Sequence, residues 1–409
     1  MGHGYKKNGY ETETLKLDAG DKHLLGGGSG TAISITNMDD LTRFLRPAGG
    51  GIFTVSTGRA EQQALQRRLY DAPDADEVQR KWQAALASVG DARAAIIGIP
   101  SDTGAGLVRG AAFGPEGVRR ALLAACPDFA ARAARAGIVD VGDVFAVPQL
   151  LEDDMLSEEQ RRRTRAALYG PSAAADASLP VAPLSIAERA VGELLARNPR
   201  LGIFMLGGDH SVAWPVVAAL ARHVSEPWAI VHVDAHTDLL PERLGVRLCF
   251  ATWAYHANEL LGRGGRLVQV GVRASSRSKQ HWESTLGVRQ FWADEVRARG
   301  DGVIEDVITH LRGLGVARVY LSNDIDATDS ATAPSTGAPE ANGLAPAFVE
   351  ALIARVAEAF PLLGGDVVEV APSIGSAEDA RRTTDVAAGY MLATLAAMTG
   401  AGELSQRRQ

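Results

Sequence analysis

Val231-His232-Val233-Asp234-Ala235-His236-Thr237-Asp238 is the stretch whose reading decides the fold. Residues 228–233 (Trp-Ala-Ile-Val-His-Val) read as a short strand buried on both faces. Asp234, His236 and Asp238 follow at i, i+2 and i+4. An extended chain turns alternate side chains to one face, so two carboxylates and an imidazole aim at one point. Burying such a cluster is costly unless a cation occupies it.

Two further stretches complete the pattern. Gly207-Gly208-Asp209-His210-Ser211 follows the apolar run Leu201–Leu206, and Ser322-Asn323-Asp324-Ile325-Asp326 follows Ala317–Leu321. Each lies where a strand ends. The sum is two imidazoles (His210, His236) and four carboxylates (Asp234, Asp238, Asp324, Asp326), enough for two metal ions if one or two carboxylates bridge. Oxygen and imidazole donors without thiolate suit Mn²⁺, and also Ni²⁺, Co²⁺ or Fe²⁺, better than a structural zinc. A bridged pair about 3.5–4 Å apart would acidify a shared water to hydroxide.

Outward from these motifs, apolar strand-like runs alternate with helical patterns. Strands are predicted at 94–100, 138–145, 201–206, 228–233, 266–271, 317–322 and 366–370. Helices are predicted at 116–125, 186–197 (capped by Ser185), 211–223, 250–262, 302–313, 346–360 and 376–399. Such alternation means right-handed βαβ units and a mostly parallel sheet covered on both faces. Ligands bind such sheets outside the carboxyl ends of the strands, where all three acid–His clusters fall. Residues 1–92 read as an N-terminal extension: a Gly-rich arm over 1–52, then helices over 59–71 and 75–89. Residues 93–400 read as the catalytic domain, with a surface insertion at about 150–184, and 401–409 as a tail.

GGDHS, DAHTD and SNDID, in that order and spacing, resemble the three metal-binding motifs of the ureohydrolase family of arginase, agmatinase, guanidino-acid hydrolases and formimidoylglutamase. The resemblance runs from about Ala94 to about Ala397. It implies a three-layer αβα, arginase-like fold. It also implies that His210, Asp234, Asp238 and Asp324 hold one Mn²⁺, with Ni²⁺ as the alternative metal. Asp234, His236, Asp324 and Asp326 would hold the other, with Asp234 and Asp324 bridging. Asp209 would orient His210, and His232 reads as a hydrogen-bonded core histidine. In Asp366-Val-Val-Glu-Val-Ala-Pro372 the resemblance gives Glu369 the contact with a guanidinium or formimino group. Asp326 would carry a proton to the departing amine. Residues 101–109, with Thr103, and 247–256, with Cys249, are expected to select the substrate's tail. The family's loop DPxxAPGTGTPExGGL is matched from Asp329 to Leu344, with Ser330, Ser335 and Asn342 departing from it.

The largest departure follows Asp238. The family carries a His-Gly pair about ten residues on, whereas this chain has Cys249 or Phe250 there. His256 is the candidate to replace that histidine as proton shuttle or substrate contact. The implied activity is hydrolysis of a guanidino compound other than arginine to urea and an amine or ammonia, by attack of a metal-bridging hydroxide. An agmatinase-like substrate, a guanidino acid or guanidine itself would fit. The rivals are a formimidoylglutamase-type hydrolase and a catalytically altered metal-binding protein.

Composition agrees. A chain of 409 residues, 46% hydrophobic and 22% charged, has ordinary globular make-up. A net charge of −7 argues against a nucleic-acid partner. Arg161-Arg162-Arg163 follows a run of acids and reads as a solvated helix face. Two cysteines give no disulfide framework and fit a reducing cytoplasm. The N-terminus has no apolar h-region, and no run suits a membrane span. The family resemblance implies a trimer or hexamer.

Overall fold

A computed structural model describes residues 39–52 and 57–404. Among them nine strands form one sheet. They are β1 (Leu45–Arg46), β2 (Ala94–Ile99), β3 (Ile138–Val144), β4 (Gly202–Gly207), β5 (Trp228–Val233), β6 (Leu267–Val272), β7 (Arg289–Trp292), β8 (Arg318–Asn323) and β9 (Leu362–Val367). Their order is β1-β3-β2-β4-β9-β8-β5-β6-β7. All neighbours run parallel except β1, which pairs antiparallel with β3. The three-layer arrangement read from the sequence is therefore the one observed. Alternate residues of each central strand feed two cores: Ala229, Val231 and Val233 enter one, Trp228 and Ile230 the other. Helices such as Pro346–Ala359 and Ala377–Thr399 cover the first face, Pro183–Arg197 and Ala213–His223 the second.

The order of the strands positions the site. β4, β9, β8 and β5 are consecutive neighbours in the sheet, although β4 and β5 are adjacent in sequence and β8 and β9 come much later. The chain leaves a crevice where the order reverses, and the carboxyl ends of these four strands surround it.

Several elements differ from the sequence reading. β9 begins four residues before the expected 366 and ends before Glu369. Gly364 and Gly365 precede the expected strand, but both glycines are needed inside the observed one. A Cβ on Gly364 would stand 2.0 Å from Ile203 O, and one on Gly365 2.8 Å from Leu321 O. Ser185 does not cap its helix, which starts at Pro183; its Oγ accepts from the Asp153 amide at 3.3 Å and ties the insertion down. The helix expected at 250–262 spans Trp253–Leu260. Helices Lys279–Leu286 and Ala293–Arg299, with the edge strand β7 between them, have no counterpart in the reading. Arg289-Gln-Phe-Trp is too short and too polar to announce a strand.

Residues 1–38, 53–56 and 405–409 lie outside the described residues, so most of the expected Gly-rich arm and tail does too. The rest of the extension joins the sheet. Residues 45–46 supply β1, and Trp82 from helix Ala75–Ala87 donates to Val141 O at 2.8 Å. Asp74 caps that helix by accepting from the Glu77 amide. In the insertion, helix Glu158–Tyr169 opens on a Ser157–Gln160 capping box, and Arg161 and Arg162 pair with Glu158 and Glu159 as a solvated face should. Among the described residues no helix is long and apolar enough to cross a membrane.

Candidate metal centre and its cleft

The β5 motif leaves its strand with Asp234 and Asp238 buried and His236 half-buried. Asp238 sits at φ 50°, a left-handed backbone that is strained for a residue with a Cβ. The β4 motif turns into a short 3₁₀ helix, His210–Val212, capped by Asp209, whose Oδ1 accepts from the Ser211 amide at 2.8 Å. Asp209 thus ties the turn but makes no bond to the His210 ring. Gly208 is required there, because a Cβ would stand 1.8 Å from Ser101 O. The β8 motif ends in a second 3₁₀ turn, Ile325–Ala327, capped by Asp324.

These three ends meet. His210 Nδ1 lies 3.2 Å from Asp234 Oδ2, 3.5 Å from Asp238 Oδ2 and 3.0 Å from Asp324 Oδ2. His236 Nδ1 lies 3.5 Å from Asp234 Oδ1 and 3.0 Å from Asp326 Oδ2. Asp234 therefore faces one donor set with each oxygen. Asp324 reaches the His210 set only: its Oδ1 accepts from the Asp326 amide at 2.9 Å, and the compact second set is Asp234, His236 and Asp326.

Hydrogen bonds behind the site fix which atoms face it. His210 Nε2 contacts Ser322 Oγ at 3.0 Å, and that hydroxyl donates to Asp366 Oδ1 at 3.1 Å, which leaves Nδ1 turned to the carboxylates. Gln269 Nε2 donates to His232 Nδ1 (2.9 Å) and to Thr237 O (2.7 Å), while Gln269 Oε1 accepts from Gln290. The imidazole proton must then sit on His232 Nε2, donated to Asp234 Oδ2 at 2.7 Å. His232 stands within reach of the first donor set, yet this tautomer makes it an orienter of Asp234 and leaves it no lone pair for an ion. Trp253 stacks on His210 with ring centroids 4.6 Å apart and donates to Asp238 Oδ2 at 3.0 Å. The sequence assigns no role at the centre to Trp253 or Gln269, and Ser322 and Asp366 enter it only as members of the quoted motifs. The usable signal is physical: a buried carboxylate needs donors, and each of these residues supplies or relays one. Replacing Gln269 with Leu is expected to weaken Mn²⁺ binding about 10–100-fold. Titration calorimetry checks this, and unchanged affinity would remove His232 from any positioning role.

Electrostatics show what the cluster lacks. Burial, then the charges of neighbouring aspartates, push Asp238 and Asp324 well above the usual carboxylate range, and Asp326 is raised for the same reasons. Burial opposes charge on Asp234 too, but three imidazoles outweigh it and hold that group well below its ordinary value. Burial works against a charged His236, yet Asp234 and Asp326 push it up to about 12. Without a cation, the site holds protons to offset its own carboxylates. The donors, all oxygen and imidazole nitrogen, suit a divalent ion that would displace those protons.

A test in pH follows. Asp238, Asp324 and Asp326, with His210 and His236, bind protons more tightly folded than unfolded. Each such group costs stability as pH climbs from its unfolded value, near 4 for Asp and about 6.5 for His, toward its folded one. Asp234, held low, acts in the opposite sense only below about pH 4. The metal-free protein is expected to lose stability through neutral pH, and the rise in Tm on adding Mn²⁺ to be larger at about pH 8.5 than at about pH 6. Thermal melts with and without Mn²⁺ check this; equal rises would contradict it.

The centre opens into a cleft of about 180 Å³ lined by His236, Asp238, Asp324, Asp326 and Glu369 on the acidic side, and by Leu107, Val108 and Phe250 on the apolar side. Glu369 follows β9 at φ 59°. Its amide donates to Gly208 O at 2.8 Å and its Oε1 accepts from the His210 amide at 2.9 Å. Burial, then the charge of Asp209, raises its carboxyl well above the ordinary range. Asn342, which stands where the family loop has Gly, adopts φ 60°, a backbone that asparagine tolerates.

Three expected substrate residues are not in this cleft. His256 is half-buried on helix Trp253–Leu260, with Nε2 donating to Arg247 O at 3.0 Å and its ring edge-on to Trp214. That bond and packing turn it from the centre, so the structure offers no support for a shuttle there. Thr103 Oγ1 donates to Pro148 O at 2.9 Å. Thr103 and the buried Cys249 line a neighbouring cavity of about 500 Å³.

The arginase family profile matches residues 92–397. Guanidinobutyrase from Pseudomonas aeruginosa is 30% identical over 289 residues, 68% of this chain and 79% of that one. N(1)-aminopropylagmatine ureohydrolase from Thermus thermophilus is 38% identical over 187 residues, 45% of this chain and 61% of its own length, so that match spans less than two thirds of the relative. Among solved structures, proclavaminate amidino hydrolase from Streptomyces clavuligerus superimposes with a TM-score of 0.58 at 26% identity, covering 75% of this chain and 92% of its own. A sheet whose order reverses at four converging strand ends, the acid–imidazole cluster they hold and these matches agree: the chain belongs to the arginase family of hydrolases.

Proposed function

We propose that the protein is a binuclear-metal amidinohydrolase that cleaves a C–N bond of a guanidino compound, releasing urea and an amine or ammonia. The observation that carries this reading is Asp234, whose two oxygens lie 3.2 and 3.5 Å from two different imidazoles. A carboxylate shared between two ion sites fits that placement. His210, Asp234, Asp238 and Asp324 would hold one ion, and Asp234, His236 and Asp326 the other; the second bridge that the family likeness implies for Asp324 is not proposed, because its Oδ1 accepts from the Asp326 amide. Bound there, a pair of divalent ions supplies Lewis acidity and lowers the pKa of a water between them. Mn²⁺ is proposed on the oxygen-rich donors, with Ni²⁺ the alternative.

The chain's residues do the rest. Glu369 Oε1 is held by the His210 amide, so the carboxylate can take guanidinium N–H groups from the cleft. Asp326 lines the cleft, and its Oδ1 is fixed by the Ala235 amide at 3.2 Å. Asp326 would take a proton and pass it to the departing nitrogen. Leu107, Val108 and Phe250 give the open side an apolar wall.

The test is urea release from agmatine, arginine, 4-guanidinobutanoate and guanidine by protein loaded in turn with Mn²⁺ and Ni²⁺, with formimidoylglutamate as the control. Urea from at least one guanidino compound is expected. Formamide from the control alone would replace the reading with the formimidoylglutamase type, and no turnover with two metals bound would replace it with a binding protein. A reducing, cytoplasmic setting is proposed because two cysteines in 409 residues give no disulfide framework. A trimer or hexamer is proposed from the family likeness, and light scattering measures it.

A further inference from the structure

We propose that Arg243 receives the carboxylate of the substrate, so that the protein acts on ω-guanidino acids in preference to guanidino amines; this rests on the hydrolase reading above. The metal cleft and the 500 Å³ cavity beside it share Gly106, Leu107, Arg243 and Phe250 as lining. A substrate whose guanidinium sits against Glu369 can extend only past these shared walls to use the larger space. That space is largely apolar, with Leu150, Leu151, Met155 and Leu156 among its walls. Leu107 and Leu244, which also line it, are each 99% exposed, bare apolar surface that a methylene chain would cover.

Among the described residues Arg243 is the one charged side chain lining the larger cavity. It is exposed at the rim, and its guanidinium lies 5.0 Å from the Phe250 ring centroid. Among the described residues no carboxylate pairs with it. Its neighbour Arg247, by contrast, pairs with Glu152. Arg243 is therefore a cation at the junction of the two spaces with no carboxylate of the described residues at ion-pair distance, although the acids of the centre line the same cleft. An ammonium tail reaching this point meets like charge and no acceptor carboxylate in the cavity. A carboxylate tail meets a planar donor that can bind it in bidentate fashion. Glu340, 3.9 Å from His236 Nε2, lines neither cavity and does not reverse this balance.

The experiment compares kcat/KM for 4-guanidinobutanoate and agmatine, similar in length and opposite in tail charge, using metal-loaded wild type, Arg243→Gln and Arg243→Glu. Wild type is expected to prefer the acid at least tenfold. Arg243→Gln should raise KM for the acid about tenfold and collapse the preference, and Arg243→Glu should invert it. Agmatine preferred by wild type, or an acid-to-amine ratio unmoved by both substitutions, would overturn the inference while leaving the hydrolase reading intact. If no compound is turned over, calorimetry of 4-guanidinobutanoate on the same proteins decides separately. Binding that weakens about tenfold in Arg243→Gln upholds the tail site although the reading of the chemistry has failed, and binding indifferent to Arg243, or none, overturns it.

Discussion

Replacing Asp324 with Asn is expected to abolish turnover and yet raise the melting temperature of the metal-free protein. Asp324 Oδ2 lies 3.0 Å from His210 Nδ1, and its Oδ1 accepts from the Asp326 amide. Asparagine preserves the shape and can still accept from that amide. What it removes is a buried negative charge that burial, Asp326 and Asp234 all disfavour. Without metal, that charge is a burden at neutral and alkaline pH, so its loss stabilises the fold. With metal, the same charge is a ligand. Losing it should take bound Mn²⁺ from two per chain to one or none and cost roughly 4 kcal/mol of transition-state stabilisation, about 10³-fold in kcat/KM. Melts of the metal-stripped variant at about pH 8, with metal analysis, read both effects. A lower Tm with activity retained would mean that Asp324 serves packing and no ion. A site that is unstable until loaded is a functional strain of the kind cores otherwise avoid.

Glu369→Gln should separate substrate from metal. The left-handed backbone at residue 369 is held by its amide's bond to Gly208 O, which glutamine keeps. Its Oε1 contact to the His210 amide also survives in an isosteric amide. Glu369 belongs to neither compact donor set among the described residues, so two metals per chain should remain. What disappears is a carboxylate for guanidinium N–H groups. Two charge-assisted hydrogen bonds becoming neutral ones, about 3 kcal/mol together, lower kcat/KM on the order of 10²-fold. A variant that loses metal and activity together would reassign Glu369 to the support of His210.

Much of this was legible in the chain, for a physical reason. Carboxylates and imidazoles at period-two spacing after a buried apolar run are expensive anywhere but beside a cation, so residues 207–211, 234–238 and 322–326 announce their chemistry. Parallel strands, buried on both faces, announce themselves as apolar runs, and β2, β4, β5, β6 and β8 were found within a residue or two. What sequence hides is what depends on pairing. β9 lies between β4 and β8, and its two glycines make sense only against the backbones of those neighbours. The relay Gln290–Gln269–His232–Asp234 runs across β7, β6 and β5, three strands whose register no local pattern gives. His256 was misplaced because spacing in a loop does not translate into direction. The helix starts at Trp253 and turns Trp253, not His256, onto the centre.

Anomalous diffraction from crystals grown with Mn²⁺, measured at the manganese edge, tests the central claim most directly. Two peaks are expected, one between His210 and Asp238 and one between His236 and Asp326, with Asp234 bonded to both ions through different oxygens. A single peak, or two ions that Asp234 does not bridge, would contradict the account.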